Sequence, residues 1–210
     1  MPKANKINFG LKNLHYALIT YSDQDVPTWS TPVHVPGAVN ATLSREGSET
    51  NFYADDTKYW LTSVNNGYTG TLEMADFPVA MRQALWNQTL SSTGKLLLES
   101  IDDKPAEFAL MFEINGDQNP TRYCFPRCIA SRPNVESSTT NESTEPKTSS
   151  CDLTVLPVID PTENSAMNGK TLYRTTADTP TATYTAFYDA VLTSFTYSTG
   201  RRKTRPFPFI

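Results

Sequence analysis

Residues 38–86 read AVNATLSREGSETNFYADDTKYWLTSVNNGYTGTLEMADFPVAMRQALW, a series of short alternating segments that runs into one compact amphipathic helix. Val39, Ala41 and Leu43 alternate with Asn40, Thr42 and Ser44, the period-two pattern of a strand with one apolar face. Arg45 to Glu49 supply a polar, glycine-containing reversal. Phe52 and Tyr53 begin a second segment, Asp55-Asp56 makes a turn-prone break, and residues 58–64 are aromatic and β-branched enough for another strand. Asn65-Asn66-Gly67 marks a further turn, because Asn and Gly tolerate positive φ. Tyr68, Gly70, Leu72 and Met74 then alternate with Thr69, Thr71 and Glu73. Asp76 is placed to accept hydrogen bonds from the free amides of a new helix, and Pro78 fits its start, where a missing N–H costs nothing. The predicted helix, near residues 77–88, puts Phe77, Met81, Ala84 and Leu85 on one face.

Further along, residues 96–100 form a short apolar strand and Asp102-Asp103-Lys104-Pro105 turns the chain. Phe108, Leu110, Phe112 and Ile114 alternate with Glu107, Ala109, Met111 and Glu113, so one face enters a core while the other meets solvent or a neighbouring subunit. Residues 121–131 return as a strand interrupted at Pro126, whose missing donor implies an edge position or a bulge. Residues 137–150 carry no apolar side chain and read as a long loop or exposed hairpin tip, with residues 152–159 as the return strand, Leu153 and Val155 sharing a face. Residues 160–178 are loop-like. Residues 181–199, with Tyr184, Ala186, Tyr188 and Ala190 alternating, read as one or two strands. The expected organisation is a β domain over 1–159 and an elaboration of the same domain over 160–210.

Composition agrees. Ser and Thr account for 46 of 210 residues and Pro for 15, which suits a mainly β protein with many turns. No apolar run is long enough to span a membrane, and residues 1–13 lack the apolar core of a secretory signal. The net charge is −4, yet Arg201, Arg202, Lys203 and Arg205 crowd the C-terminus. Removing those four leaves 14 basic against 22 acidic residues, an acidic body that disfavours broad nucleic-acid binding and a basic tail suited to an acidic neighbour.

Catalytic patterns are lacking. Asp55-Asp56 and Asp102-Asp103 are paired carboxylates, but adjacent residues on an extended segment point to opposite sides and both pairs accompany turn signals. There is no nucleophile elbow, phosphate-cradling loop or zinc-type histidine spacing, and His15 and His34 read as structural. Cys124, Cys128 and Cys151 read as reduced core thiols; the first two, four residues apart on a strand, would sit about 13 Å from one another, beyond disulfide reach. Tyr59, Trp60 and Trp86 read as core or interface packing. No enzyme activity, cofactor or metal is expected.

The order of several segments resembles the major tail proteins, or tail-tube subunits, of long non-contractile-tailed bacteriophages of Gram-positive hosts. The resemblance rests on Phe9-Gly10-Leu11-Lys12-Asn13-Leu14-His15-Tyr16-Ala17, Pro36-Gly37-Ala38-Val39, Phe52-Tyr53-Ala54-Asp55 and Asn65-Asn66-Gly67-Tyr68-Thr69-Gly70. It continues in Phe108-Ala109-Leu110-Met111-Phe112-Glu113 and Ala130-Ser131-Arg132-Pro133-Asn134-Val135-Glu136, and the chain after Ile159 departs from the pattern.

The resemblance implies a β-sandwich or barrel-like tail-tube fold with one flanking helix. It implies a virion protein that stacks as hexameric rings around the tape-measure protein, meets the tail-tip and tail-terminator proteins, and passes viral DNA through its lumen without specific binding. Stacked rings need a lateral contact that closes and an axial contact that does not. Arg45, Glu46, Asp55, Asp56 and Glu142 are the expected axial contacts, Pro126 marks the expected lateral edge, and Arg201 and Arg202 the basic tail's contact. The alternative is a monomeric carbohydrate-binding or adhesin-like β-sandwich.

Overall fold

A computed structural model describes residues 5–135, 137, 139 and 147–195. The chain is mainly β. In order its elements are β1 (Asn8–Tyr21), β2 (Pro27–Trp29), β3 (Val33–His34), β4 (Ala38–Ala54), β5 (Thr57–Met74), α1 (Val79–Trp86), β6 (Thr89–Leu90), β7 (Leu97–Leu98), β8 (Phe108–Gly116), β9 (Thr121–Ala130), β10 (Ser149–Val155), β11 (Tyr173–Arg174) and α2 (Thr181–Thr185), followed by a 3-10 turn over Ala186–Tyr188.

One antiparallel sheet runs in the order β2-β1-β8-β9-β10-β5-β4, with β3 also on β1 and β11 also on β9; β6 and β7 form a separate small ribbon. The sheet curls until β1 approaches β4 to Cα distances within 8 Å, but these two strands are not joined by a ladder, so the barrel is not closed.

Alternation builds the core. Phe108, Leu110 and Phe112 of β8 enter the main cluster with Leu72, Met74, Phe125, Cys151, Leu153 and Val155. Phe77, Met81, Leu85 and Trp86 cover it from α1, each buried side chain contributing roughly 1.5–3 kcal/mol of transfer free energy. The Trp86 indole N–H is satisfied by the carbonyls of Ala130 and Ser131 at 3.2 and 2.8 Å. The helix starts after Pro78 with no side-chain cap, the Asp76 carboxylate accepting instead from the Phe77 amide at 2.8 Å, and it ends on Asn87 in the left-handed region.

Several expectations need correction. The second face of β8 meets neither solvent nor a neighbour. Ala109 and Met111 pack with Ala17, Cys124, Phe187 and Val191, so the segment after Ile159 roofs that side of the sheet. Within this roof the expected strand over 181–199 is instead α2 and the 3-10 turn, and residues 196–210 lie outside the described residues. Arg122 accounts for the change. Its guanidinium lies 4.0 and 4.7 Å from the ring centroids of Tyr184 and Tyr188 and donates to the Tyr184 carbonyl, contacts that helical turns bring to one place.

Val39 also departs from its expected face. A register shift between Ala38 and Asn40 leaves it exposed, while Ala38, Ala41 and Leu43 pack on the core. The reversal expected at residues 45–49 and the turn at Asn65-Asn66-Gly67 are both absent, because β4 and β5 are continuous through them.

Candidate functional site: a projecting hairpin

β4 and β5 stay paired from Ala38↔Met74 out to Ala54↔Thr57. Only the inner part of β5, from Tyr68 to Met74, is flanked by β10. Beyond it the two strands leave the body as a bare ribbon, eight residues from Gly47 to Ala54, about 25 Å at the usual rise per residue.

Two devices shape this arm. At its base the pairing moves from Glu46↔Gly67 to Gly47↔Asn65, leaving Asn66 as the extra residue of a bulge, with Gly67 at φ +110° and its amide donating to Asn65 Oδ1 at 3.1 Å. At its tip Asp55 and Asp56 have φ of 50° and 56°, the two-residue reversal with both residues left-handed that matches strand twist. The turn chemistry of Asp55-Asp56 is therefore as the sequence indicated. Asn65-Asn66-Gly67 uses the same permissive residues to make a bulge rather than a turn.

The arm has an apolar face that none of the other described residues covers. Phe52 stands opposite Trp60, and Ser48 opposite Val64, on the side shared by every second pair. Tyr53 and Leu61 are exposed as well, and Tyr59 and Trp60 keep 73% and 53% of their surfaces in solvent. Core packing is excluded for Tyr59 and Trp60, whereas Trp86 is core. Exposed apolar side chains on an unsupported two-stranded ribbon make the arm the candidate interaction site, since such a ribbon is marginal alone and its outer edges offer unpaired backbone groups.

The anticipated contact residues do not form one patch. Arg45 and Glu46 sit at the arm's base opposite Tyr68 and Gly67, and Asp55 and Asp56 lie at the far tip. Pro126 is not at an edge: it is buried in β9, between β8 and β10, within the irregular stretch separating Phe108↔Cys128 from Leu110↔Phe125. The bulge reading of Pro126 stands, and its carbonyl accepts from Trp29 Nε1 at 2.8 Å. Glu142, Arg201 and Arg202 lie outside the described residues.

A second exposed apolar surface was not anticipated. Leu96, Leu98 and Ile101 stand out around the β6–β7 ribbon. Arg132 holds its base, pairing with Glu99 at 3.0 Å and donating to the carbonyls of Ser100 and Asp103 at 2.9 and 3.0 Å. The run of three leucines at 96–98 was the available signal, but a short apolar run reads equally as a core strand.

Two ionic clusters serve the scaffold. Buried Glu113 pairs with Arg122 at 2.8 Å and Lys12 at 3.2 Å, binding β1, β8 and β9 together beneath the roof. Glu107 takes two bonds from Arg127, at 2.9 and 2.7 Å, and a third from the Tyr21 hydroxyl. Burial and this carboxylate push the Tyr21 phenol up to about 12. All three cysteines are free and buried, and desolvation raises Cys124 and Cys151 to about 12, which leaves them protonated and unreactive.

A polar cleft of about 530 Å³ opens between the β8–β9 end and the roof, lined by residues that include Asn8, Thr121, Tyr123, Arg174 and Tyr184. Among the described residues Arg174 is the one charged group of the lining, and no acid stands beside it there. Among the described residues no three or more His, Cys, Asp or Glu converge on a metal position, and no helix is long and apolar enough to cross a membrane. No protein-family model matches the chain, and no curated protein is recognisably similar to it.

Proposed function

We propose that the protein is a structural subunit that polymerises as stacked, hexameric rings into a bacteriophage tail tube through which DNA is delivered. The observation that carries this reading is the arm: about 25 Å of ribbon whose aromatic face has no partner among the described residues. The arm and the Leu96–Leu98–Ile101 surface are different parts of one molecule, as a heterologous, open-ended contact requires. An acidic body also suits a conduit for DNA, because retained phosphate contacts would be multiplied along the tube. In this reading the tape-measure, tail-tip and tail-terminator proteins are the partners, and no cofactor or catalysis is involved.

Mass photometry across concentration, followed by negative-stain microscopy, tests the reading. Rings or tubes of uniform diameter are expected from the unaltered chain. The double variant Phe52→Ser/Trp60→Ser should remain a 23.4 kDa monomer with an unchanged circular dichroism spectrum. A second reading, a monomeric carbohydrate-binding module, is favoured by the amide, hydroxyl and aromatic lining of the Arg174 cleft. A persistent monomer of the unaltered chain that scores in a glycan-binding screen, with loss on Arg174→Ala, would replace the assembly reading.

A further inference from the structure

We propose that His15 and His34 form a two-imidazole chelate for a divalent transition-metal cation of the zinc type, independently of the assembly reading. The protein's two histidines stand directly opposite each other in the β1–β3 register. Their ring centroids lie 5.0 Å apart. A cation bound at about 2.0–2.1 Å to one nitrogen of each ring, at a tetrahedral angle, places the two centroids about 5 Å apart.

The surroundings prepare His15 as a ligand. A register shift between Lys12 and His15 puts Asn13 at φ 55° and brings its carbonyl 2.8 Å from His15 Nδ1. That contact assigns the proton to Nδ1 and leaves the Nε2 lone pair free, the backbone-carbonyl support common behind metal-bound histidines. Tyr188 stacks on the imidazole at 4.2 Å and 14°, which holds the plane of the ring. His34 is exposed.

The other titratable groups near this corner are Lys12 and Arg122, with Glu113 between them at 3.2 and 2.8 Å, and the neutral phenols of Tyr184 and Tyr188. The residual positive charge weakens a cation site without removing it, since Glu113 offsets one of the two. With two protein ligands, water completes the tetrahedron, and the cation would pin β3 to β1 beside the roof.

The test is calorimetric titration of zinc chloride into the tag-free full-length chain, with thermal melts in parallel. One saturable site and a rise in Tm are expected for the unaltered chain. His34→Ala, at an exposed position, should keep the metal-free Tm yet lose about tenfold or more in affinity together with the Tm rise. Equal binding by His34→Ala, or no saturable binding to the unaltered chain, would overturn the proposal.

Discussion

A Cβ on Gly67 would sit 1.9 Å from the Val155 carbonyl oxygen, at a φ of +110° that side chains rarely adopt. Gly67→Ala is therefore expected to destabilise the fold by about 2–3 kcal/mol in denaturant titration. Gly94→Ala, whose Cβ meets only the Leu96 side chain at 3.7 Å, shares the positive φ but not the clash and should cost less. A second residue-scale prediction concerns pH. Burial alone would raise the Glu107 pKa, but the hydrogen bonds from Arg127 and Tyr21 win and hold it below 4.5. A carboxylate lowered on folding stabilises above its unfolded pKa, and that contribution is lost as pH falls through the folded value. Tm should thus drop as pH goes below 4.5, and Glu107→Gln should flatten that part of the Tm–pH curve. An unchanged curve would show that another carboxylate governs acid sensitivity.

The arm can be removed as an element because no residue between Ser44 and Asn66 belongs to a core cluster. Replacing residues 47–66 by Asn-Gly should shift Tm by less than about 4 °C, equivalent to about 1 kcal/mol at this size, while abolishing the proposed assembly. This independence also explains how the sequence misleads. A strand buried on one face announces itself by alternation, and Leu72, Met74, Leu153 and Val155 are legible for that reason. Once a ribbon leaves the body, both faces see water and the period-two signal fades, so residues 45–67 read as short pieces with turns between them. Asp55-Asp56 was legible because a tight reversal demands left-handed residues; Asn65-Asn66-Gly67 was misread because a bulge demands them too. The roof failed differently: Thr, Tyr and Ala alternate over 181–188, and local preference yields to contacts of Tyr184 with Arg122 and of Phe187 with Ala109 and Met111, residues far off in sequence. Pro126 was read correctly as a disruption, but only pairing with β8 and β10 could show that the strand is interior.

At the scale of the whole molecule, the proposed polymerisation turns on the kind of contact the arm makes, which decides whether growth stops. If arms paired with arms, the contact would be isologous, each interface would consume two arms, and stacking by this surface would end at two copies. An arm that seats on a different surface of the next copy leaves one arm and one receiving surface free at every stage, so growth continues. A subunit lacking residues 47–66 keeps its receiving surface and has no arm to offer. Added to growing tubes, it should bind the end that presents arms and block further addition there. Tube length in negative stain should consequently fall steeply at armless-to-intact ratios well below one, while tube diameter stays constant. Under arm-to-arm pairing the armless chain has nothing to bind, and the length distribution would not move. The same mixture separates a third case: if the arm closes the ring laterally, armless copies would reduce the number of complete rings in proportion to their share, leaving the lengths of the surviving tubes unaltered.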